Sequence, residues 1–548
     1  MPLSSNIKTV SRRVFWPLLF ATVFFAIPTM LFLLYPTSFW CVTDNELHGL
    51  GNAINMAYRL ADHTMYPAPG ITWHPGVTFY LMNWLALALA GYPVATGGFS
   101  FFKTVIANAE QYHMLVICLA AFVGAAGVYI FARAAQSLVP TGVTILALLL
   151  WLTSTPATIM MFLSPGMESF AMLLNGLFFI VLLKIADKPD LSWSTVAFAG
   201  GVGALAYLNK LSYVYIPASL GLAICLKIAV CRPGWVRGPA LIALFLASLA
   251  LVVLAVAHFI IGWQGFAIVW EYHKGVILGS GLYGGGDQTV ISGNQLRKAL
   301  TEIPVNAAYA VPIGLIGGIG LAIAGLITAR RNAQNISVAI LSVGAGAAAA
   351  LSAIIVLKHY ELHYTAGVSA TLPACIVAGY LVAKTWRFKI GAGCAIAASL
   401  ALASSSYVVV PMLAGYVMQG TRIQEILAAD RREMDAEIGK SSRTTEFTYK
   451  APFAEFGEGF VLAIAGIPHL SQEYLQMSRR TISSFMARQI KPDVGIYVLD
   501  KSYFPNQESV KSARNLDLPE ASAPVVIKYE PGDRLIELRT VFLLVRGQ

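Results

Sequence analysis

PGVTFYLMNWLALALAGYPV, residues 75–94, is the stretch whose reading fixes the topology of this chain. An apolar helix of this length reaches across the roughly 30 Å hydrocarbon core of a bilayer. The stretch also opens directly after His74, with Pro75, and is interrupted by Asn83 and Gly91. Whether it spans decides on which side of a membrane every later loop lies.

Eleven further apolar runs are long enough to span: 14–35, 113–132, 139–163, 169–185, 193–209, 211–228, 238–261, 304–328, 336–357, 364–383 and 390–411. Lys8, Arg12 and Arg13 precede the first run and put the N-terminus in the cytoplasm. That run is too long for a signal-peptide core and has no clear small-residue cleavage site, so it reads as an uncleaved anchor. If residues 75–94 do not span, the cytoplasmic loops carry Arg133; Lys184 and Lys188; Lys227, Arg232 and Arg237; Arg330 and Arg331; and Lys384, Arg387 and Lys389. If they do span, all these clusters move outside while the N-terminal one stays inside. The positive-inside rule selects the first case. The expectation is eleven spans, with 75–94 a helix lying on or dipping into the outer face.

Composition agrees. Charged residues make up 12% of the chain, against about 25% in soluble domains, and 57% of residues are hydrophobic. With a mean hydropathy of +0.66, a soluble enzyme and a disordered chain are both excluded. The net charge of +10 is orientation signal in cytoplasmic loops and calls for no nucleic-acid partner. The six cysteines are scattered, with no CxxC pair, and read as packing residues.

Two modules follow. Residues 1–411 form the membrane module, with a first extracytoplasmic loop at 36–111 and a second long loop at 262–303 that contains Gly284-Gly285-Gly286-Asp287. The second loop is either a lid over substrates or a flexible connector. Residues 412–548 have soluble composition and strand-like runs at 494–499, 525–529 and 536–545, which predict a small α/β domain.

Ionisable residues at membrane depth need a reason, and here the topology puts them on one face. Thr43-Asp44-Asn45-Glu46-Leu47-His48 begins the first loop, ahead of an amphipathic pattern through Leu47, Leu50, Ile54, Tyr58 and Ala61. Trp73-His74-Pro75 opens the surface helix. Ser164-Pro165-Gly166-Met167-Glu168 joins the third and fourth spans. Asn209-Lys210 separates two spans almost without a loop. Lys358-His359-Tyr360-Glu361-Leu362-His363-Tyr364 lies between the ninth and tenth. Each has an ordinary reading: helix-cap or first-turn acids for Asp44, Glu46 and Glu168, an interface anchor at Trp73, a snorkelling Lys210, a solvated turn at 358–364. Together, carboxylates and cations on one face suit chemistry on a lipid-linked phosphate. Cations hold the phosphate leaving group and a carboxylate takes a proton from the nucleophile.

At these residues the sequence resembles the GT-C glycosyltransferases, in the branch of the protein O-mannosyltransferases and the lipid A aminoarabinose transferase. Asp44-Asn45-Glu46-Leu47-His48 is similar to that branch's acidic motif, with an Asn inserted between the acids. His74-Pro75-Gly76 is similar to its His-Pro-Pro element, with Gly for the second Pro. Ser164-Pro165 with Glu168 is similar to its acid at the fourth span, where Asp is commoner. Gly203-Ala-Leu-Ala-Tyr-Leu-Asn-Lys210 and Lys358-His359-Tyr360 match two further elements. The resemblance covers about residues 14–385. It implies a GT-C-like helical fold in a bacterial inner membrane, with an extracytoplasmic C-terminal domain. The implied activity is inverting transfer of a sugar from a polyprenyl-phosphate donor to a lipid, glycan or protein acceptor at the outer face. By the same resemblance Asp44 is the general base, with Glu46 the alternative. Glu168 orients the sugar or acceptor, and Lys210, Lys358, His359 and His74 hold the donor phosphate. His48, Tyr360 and His363 are secondary candidates. No cofactor is expected. A divalent metal remains the alternative, with only Asp44, Glu46 and Glu168 as acids in suitable places. The rival classes are a transporter or lipid-linked-sugar flippase, whose site belongs near the bilayer midplane, and a membrane-anchored assembly protein whose tail does the work.

Overall fold

The computed structural model describes residues 3–35, 53, 76–89, 109–163, 166–187, 190–232, 235–278, 293–331, 335–386, 391–447, 480–482, 494–501, 504–512 and 529–547. The predicted acids Asp44 and Glu46, together with His48 and His74, lie outside the described residues, as does the glycine run 284–287.

The chain divides into two compact units. The first comprises 1–34, 72–82 and 116–415, and the second 35–71, 83–115 and 416–548. The helices in chain order are α1 (Leu3–Leu34), α2 (Val77–Leu89), α3 (Ala109–Ala135), α4 (Thr141–Thr153), α5 (Ala157–Leu163), α6 (Ala171–Asp187), α7 (Trp193–Asn209), α8 (Tyr215–Cys231), α9 (Arg237–Val256), α10 (Trp263–Leu278), α11 (Gly293–Val305), α12 (Ala310–Arg331), α13 (Ile336–Lys358), α14 (Thr365–Thr385) and α15 (Gly391–Ile438). Among the described residues, eight helices are long and apolar enough to cross a membrane. The third expected span, 139–163, is broken: α4 and α5 meet at 74° around Ser154-Thr155-Pro156. Runs 193–209 and 390–411 are also helical, as α7 and the start of α15, but neither is among those eight. The run 75–94 yields α2, a helix of 13 residues and roughly 20 Å, short of a full crossing.

In the first unit α13 is the central post, packed against α12, α14, α8 and α6. Its buried face is built from small residues, including Ser342, Gly344, Gly346, Ala349 and Ser352. A Cβ on Gly318 of α12 would sit 2.6 Å from the Gly346 carbonyl oxygen, and one on Gly346 would sit 2.5 Å from that of Gly318. Backbone-to-backbone contact of this kind is how helices associate where no hydrophobic drive exists between them. A second layer has α7 packed on α6, α8 and α9.

The α4–α5 break is held by hydroxyl groups. Thr155 Oγ1 lies 2.8 Å from Thr365 Oγ1, and Thr158 Oγ1 lies 2.9 Å from Ser369 Oγ, both on α14. The freed Ser154 carbonyl accepts the Ala310 N–H at 2.9 Å. Pro156 cannot donate to a continuous helix, and of the backbone left open at the break the Ser154 carbonyl is taken up by Ala310.

The second unit holds a five-stranded sheet of β1 (Thr444–Phe447), β2 (Arg480–Ile482), β3 (Val494–Asp500), β4 (Arg534–Glu537) and β5 (Val541–Val545), in the order β2-β1-β3-β5-β4. β2-β1-β3 are parallel, and β3-β5-β4 antiparallel. The expected single strand 536–545 is instead a hairpin, turning at Leu538–Thr540. The run reads as continuous because β5 is covered on both faces. Val541 and Leu543 pack with Leu427 and Met434 of α15, while Phe542 and Leu544 pack with Phe504 and Val510. The expected module boundary at Pro411 does not end the helix, since α15 runs through it to Ile438. The run 525–529 lies outside the described residues except for Tyr529.

Candidate functional site

The site begins with helices that stop early. α5 ends at Leu163, and a 3-10 turn, Met167–Phe170, carries Glu168 ahead of α6. α7 ends at Asn209, with Lys210 extended between it and the 3-10 turn Leu211–Val214. α13 ends at Lys358, and the 3-10 turn Leu362–Tyr364 precedes α14.

These three ends converge. Lys210 Nζ makes an ion pair and hydrogen bond with Glu168 Oε1. His363 Nε2 lies 3.8 Å from the same oxygen. The Lys210 ammonium also sits 4.1 Å from the centroid of the Tyr364 ring, a cation–π contact. Glu168 and Lys210 are only 2% and 5% exposed, so Lys210 is turned into the protein and does not snorkel to lipid. Among the described residues, Glu168 Oε2 has no hydrogen-bond partner, and neither has the buried hydroxyl of Tyr213, which lies within electrostatic reach of Glu168.

The start of α2 docks on this cluster. Thr78 Oγ1 donates to Asn209 Oδ1, and Asn209 Nδ2 donates to the Met167 carbonyl at 2.9 Å. Asn209 thus ties together the neighbours of Glu168, Lys210 and the His74-Pro75-Gly76 element. Gly76 has φ +49°, where a proline, fixed near −65°, cannot go. A Cβ there would also lie 2.8 Å from Met167 Cε.

The rest of the 358–364 turn serves other contacts. Lys358 Nζ donates to the Ile277 carbonyl at 2.8 Å, capping the C-terminal end of α10. Asn306 Nδ2 reaches the buried Tyr360 hydroxyl at 3.4 Å. Glu361 pairs with Lys298 of α11 at 3.6 Å. Burial and the neighbouring Lys358 ammonium hold the His359 imidazole below its ordinary pKa. Of the cations proposed for one phosphate, Lys210 is therefore on Glu168 and Lys358 is on a helix end. His363, ranked as secondary by sequence, is the histidine at the carboxylate. Within 262–303 the described parts are the helices α10 and α11. His273 of α10 is buried against α7, its Nδ1 2.8 Å from the Tyr207 hydroxyl.

Asn209 and Tyr364, which stand in stretches the sequence marks but carry no role there, and Tyr213, which the sequence does not mark, complete the cluster. Among the described residues, no three His, Cys, Asp or Glu side chains are grouped to hold a metal ion. No family model matches the chain, and no curated protein matches it.

Proposed function

We propose that this protein is an integral membrane glycosyltransferase that moves a sugar from a polyprenyl-phosphate donor to an acceptor at the outer membrane face. The observation that carries the reading is the meeting of Glu168, Lys210 and His363. They come from three distant parts of the chain, and the sequence pattern places residues of these types on one expected face. A buried carboxylate and ammonium with a half-buried imidazole beside them are groups that suit binding and releasing a phosphate. Lys210 stabilises charge developing on the departing lipid phosphate. Glu168 orients the sugar or acceptor, and Asp44 takes the acceptor's proton as it attacks the anomeric carbon with inversion. The test is turnover of a polyprenyl-phosphate sugar by the purified protein in nanodiscs. Asp44→Asn is expected to abolish transfer while leaving donor binding intact, and near-wild-type turnover removes Asp44 as the base. Mass spectrometry of envelope glycans and lipids from a deletion strain names the sugar and acceptor.

The α4–α5 break favours a second reading, a flippase or transporter, because such proteins build sites at interrupted helices. Against it, the break is lined by hydroxyl groups, and the charges lie beyond it at the helix ends. Translocation of a fluorescent polyprenyl-phosphate sugar in proteoliposomes, without transfer, would favour the flippase.

A further inference from the structure

One oxygen of Glu168 is claimed twice, by Lys210 through an ion pair and by His363 at 3.8 Å. A nearly buried carboxylate needs either a full set of hydrogen-bond donors or a positive charge, and Glu168, whose Oε2 has no hydrogen-bond partner among the described residues, relies on the charge. With Lys210 protonated and His363 neutral, the cluster carries no net charge. On the function proposed above, the same Lys210 has to meet a lipid phosphate. It cannot fully neutralise both anions. Once its charge turns to the phosphate, Glu168 is left as a buried anion, and the group beside it is an imidazole, which ordinarily titrates near neutral pH.

We propose that His363 is a positioning residue that takes over the Glu168 carboxylate, as imidazolium, when Lys210 turns to an anionic phosphate ligand. This inference rests on the reading of the site as a phosphate-binding one. The balance is simple: the ligand brings negative charge to Lys210, and one proton from solvent goes to His363. When the phosphate leaves, Lys210 returns to Glu168 and the proton goes back to solvent. Glu168 stays ionised and in place throughout, whichever cation holds it.

The charged and titratable groups around His363 allow this. Glu168 faces it from the turn before α6, and Lys210, from the end of α7, and Tyr213, from the turn before α8, stand at that same carboxylate. On its own turn, the Tyr364 ring stands edge-on at 4.2 Å, Glu361 is engaged with Lys298, and Lys358 with the Ile277 carbonyl. α5, which also packs on this turn, has no titratable side chain. Glu168 is thus the carboxylate at His363 among the described residues, and Lys210 is its competitor.

The experiment is calorimetric titration of the full-length protein in detergent with farnesyl phosphate, repeated in buffers of different ionisation enthalpy. The wild type at pH 7.5 is expected to take up about one proton more per ligand than His363→Asn. Subtracting the variant removes any protonation of the ligand itself. Wild-type affinity should also fall by up to about tenfold per pH unit between the imidazole's titration in the free protein and its titration in the complex. His363→Lys, carrying a fixed charge, should bind with no such slope, and it keeps the test decisive if His363→Asn does not fold. Equal proton uptake by wild type and His363→Asn, with both binding, overturns the proposal. So does a wild-type affinity that does not change with pH. If the wild type does not bind farnesyl phosphate at all, the phosphate-site reading fails first, and the role of His363 with it.

Discussion

Glu168 in the helical bundle and Asp430 in the C-terminal unit are, among the described residues, acids almost completely buried, at 2% and 1% exposure. They are treated in opposite ways. Asp430, on α15, accepts from three neutral donors of the β4–β5 turn: the Arg539 N–H at 3.3 Å, the Thr540 N–H at 2.9 Å and the Thr540 hydroxyl at 2.7 Å. Both its oxygens are used, and its partners are fixed by the hairpin it caps. Glu168 has both cationic candidates on one oxygen and no hydrogen-bond partner on the other among the described residues. The lesson is that burial alone does not mark a functional acid. A carboxylate saturated by backbone N–H groups holds a fold together, whereas one with exchangeable partners and spare capacity is equipped to act.

The largest expected effect breaks the charged half of this comparison. Lys210→Met leaves Glu168 unpaired and should destabilise the bundle by about 3–5 kcal/mol. Adding Glu168→Gln should restore most of that loss, since replacing both charges of a buried pair is far less damaging than removing one. Thermal unfolding in detergent reads both, and an equally unstable double variant would show that the pair is not the source. If the pair is functional, the stable double variant remains inactive.

The contrast extends to histidine. His273 is buried against the Tyr207 hydroxyl, and burial pushes its pKa down to about 4. The unfolded chain, titrating near 6.5, then binds more protons than the folded one between those values. Docking of α10 should therefore weaken as pH falls from about 6.5 to about 4, by an amount on the order of 3 kcal/mol, and change little below that. Hydrogen exchange of α10 across this range checks it, and His273→Phe should flatten the dependence.

Asp430→Ala is the smaller test. Losing these neutral hydrogen bonds should cost about 1–3 kcal/mol, confined to the C-terminal sheet, with the proposed transferase activity unchanged. A loss of activity as large as that of the Glu168 variants would erase the distinction drawn between the two acids.

Apolar runs made most of the helices legible, because a bilayer-spanning segment has little choice of composition. The α4–α5 break was hidden inside one of them. Hydropathy averages over Thr153-Ser154-Thr155-Pro156, and the hydroxyl partners that stabilise the break lie some 210 residues away. The same distance effect hid the pairing at the site. Glu168 and Lys210 are separated by 42 positions, so nothing local says that the lysine faces the acid and not the lipid. His359 ranked above His363 because it stands beside Lys358. Only the turn before α14 decides which imidazole reaches the carboxylate.

The early stop of α4 lowers the wall of the bundle. A straight rise of 13 residues covers roughly 20 Å of a hydrocarbon layer of roughly 30 Å, and α5 then turns away at 74°. Ser169, beside Glu168, bonds back to the Met161 carbonyl of α5, so the lowered segment lies next to the carboxylate. On the function proposed above, a lipid-linked donor would bring its headgroup to Glu168 past this shortened helix, with its tail left in the leaflet.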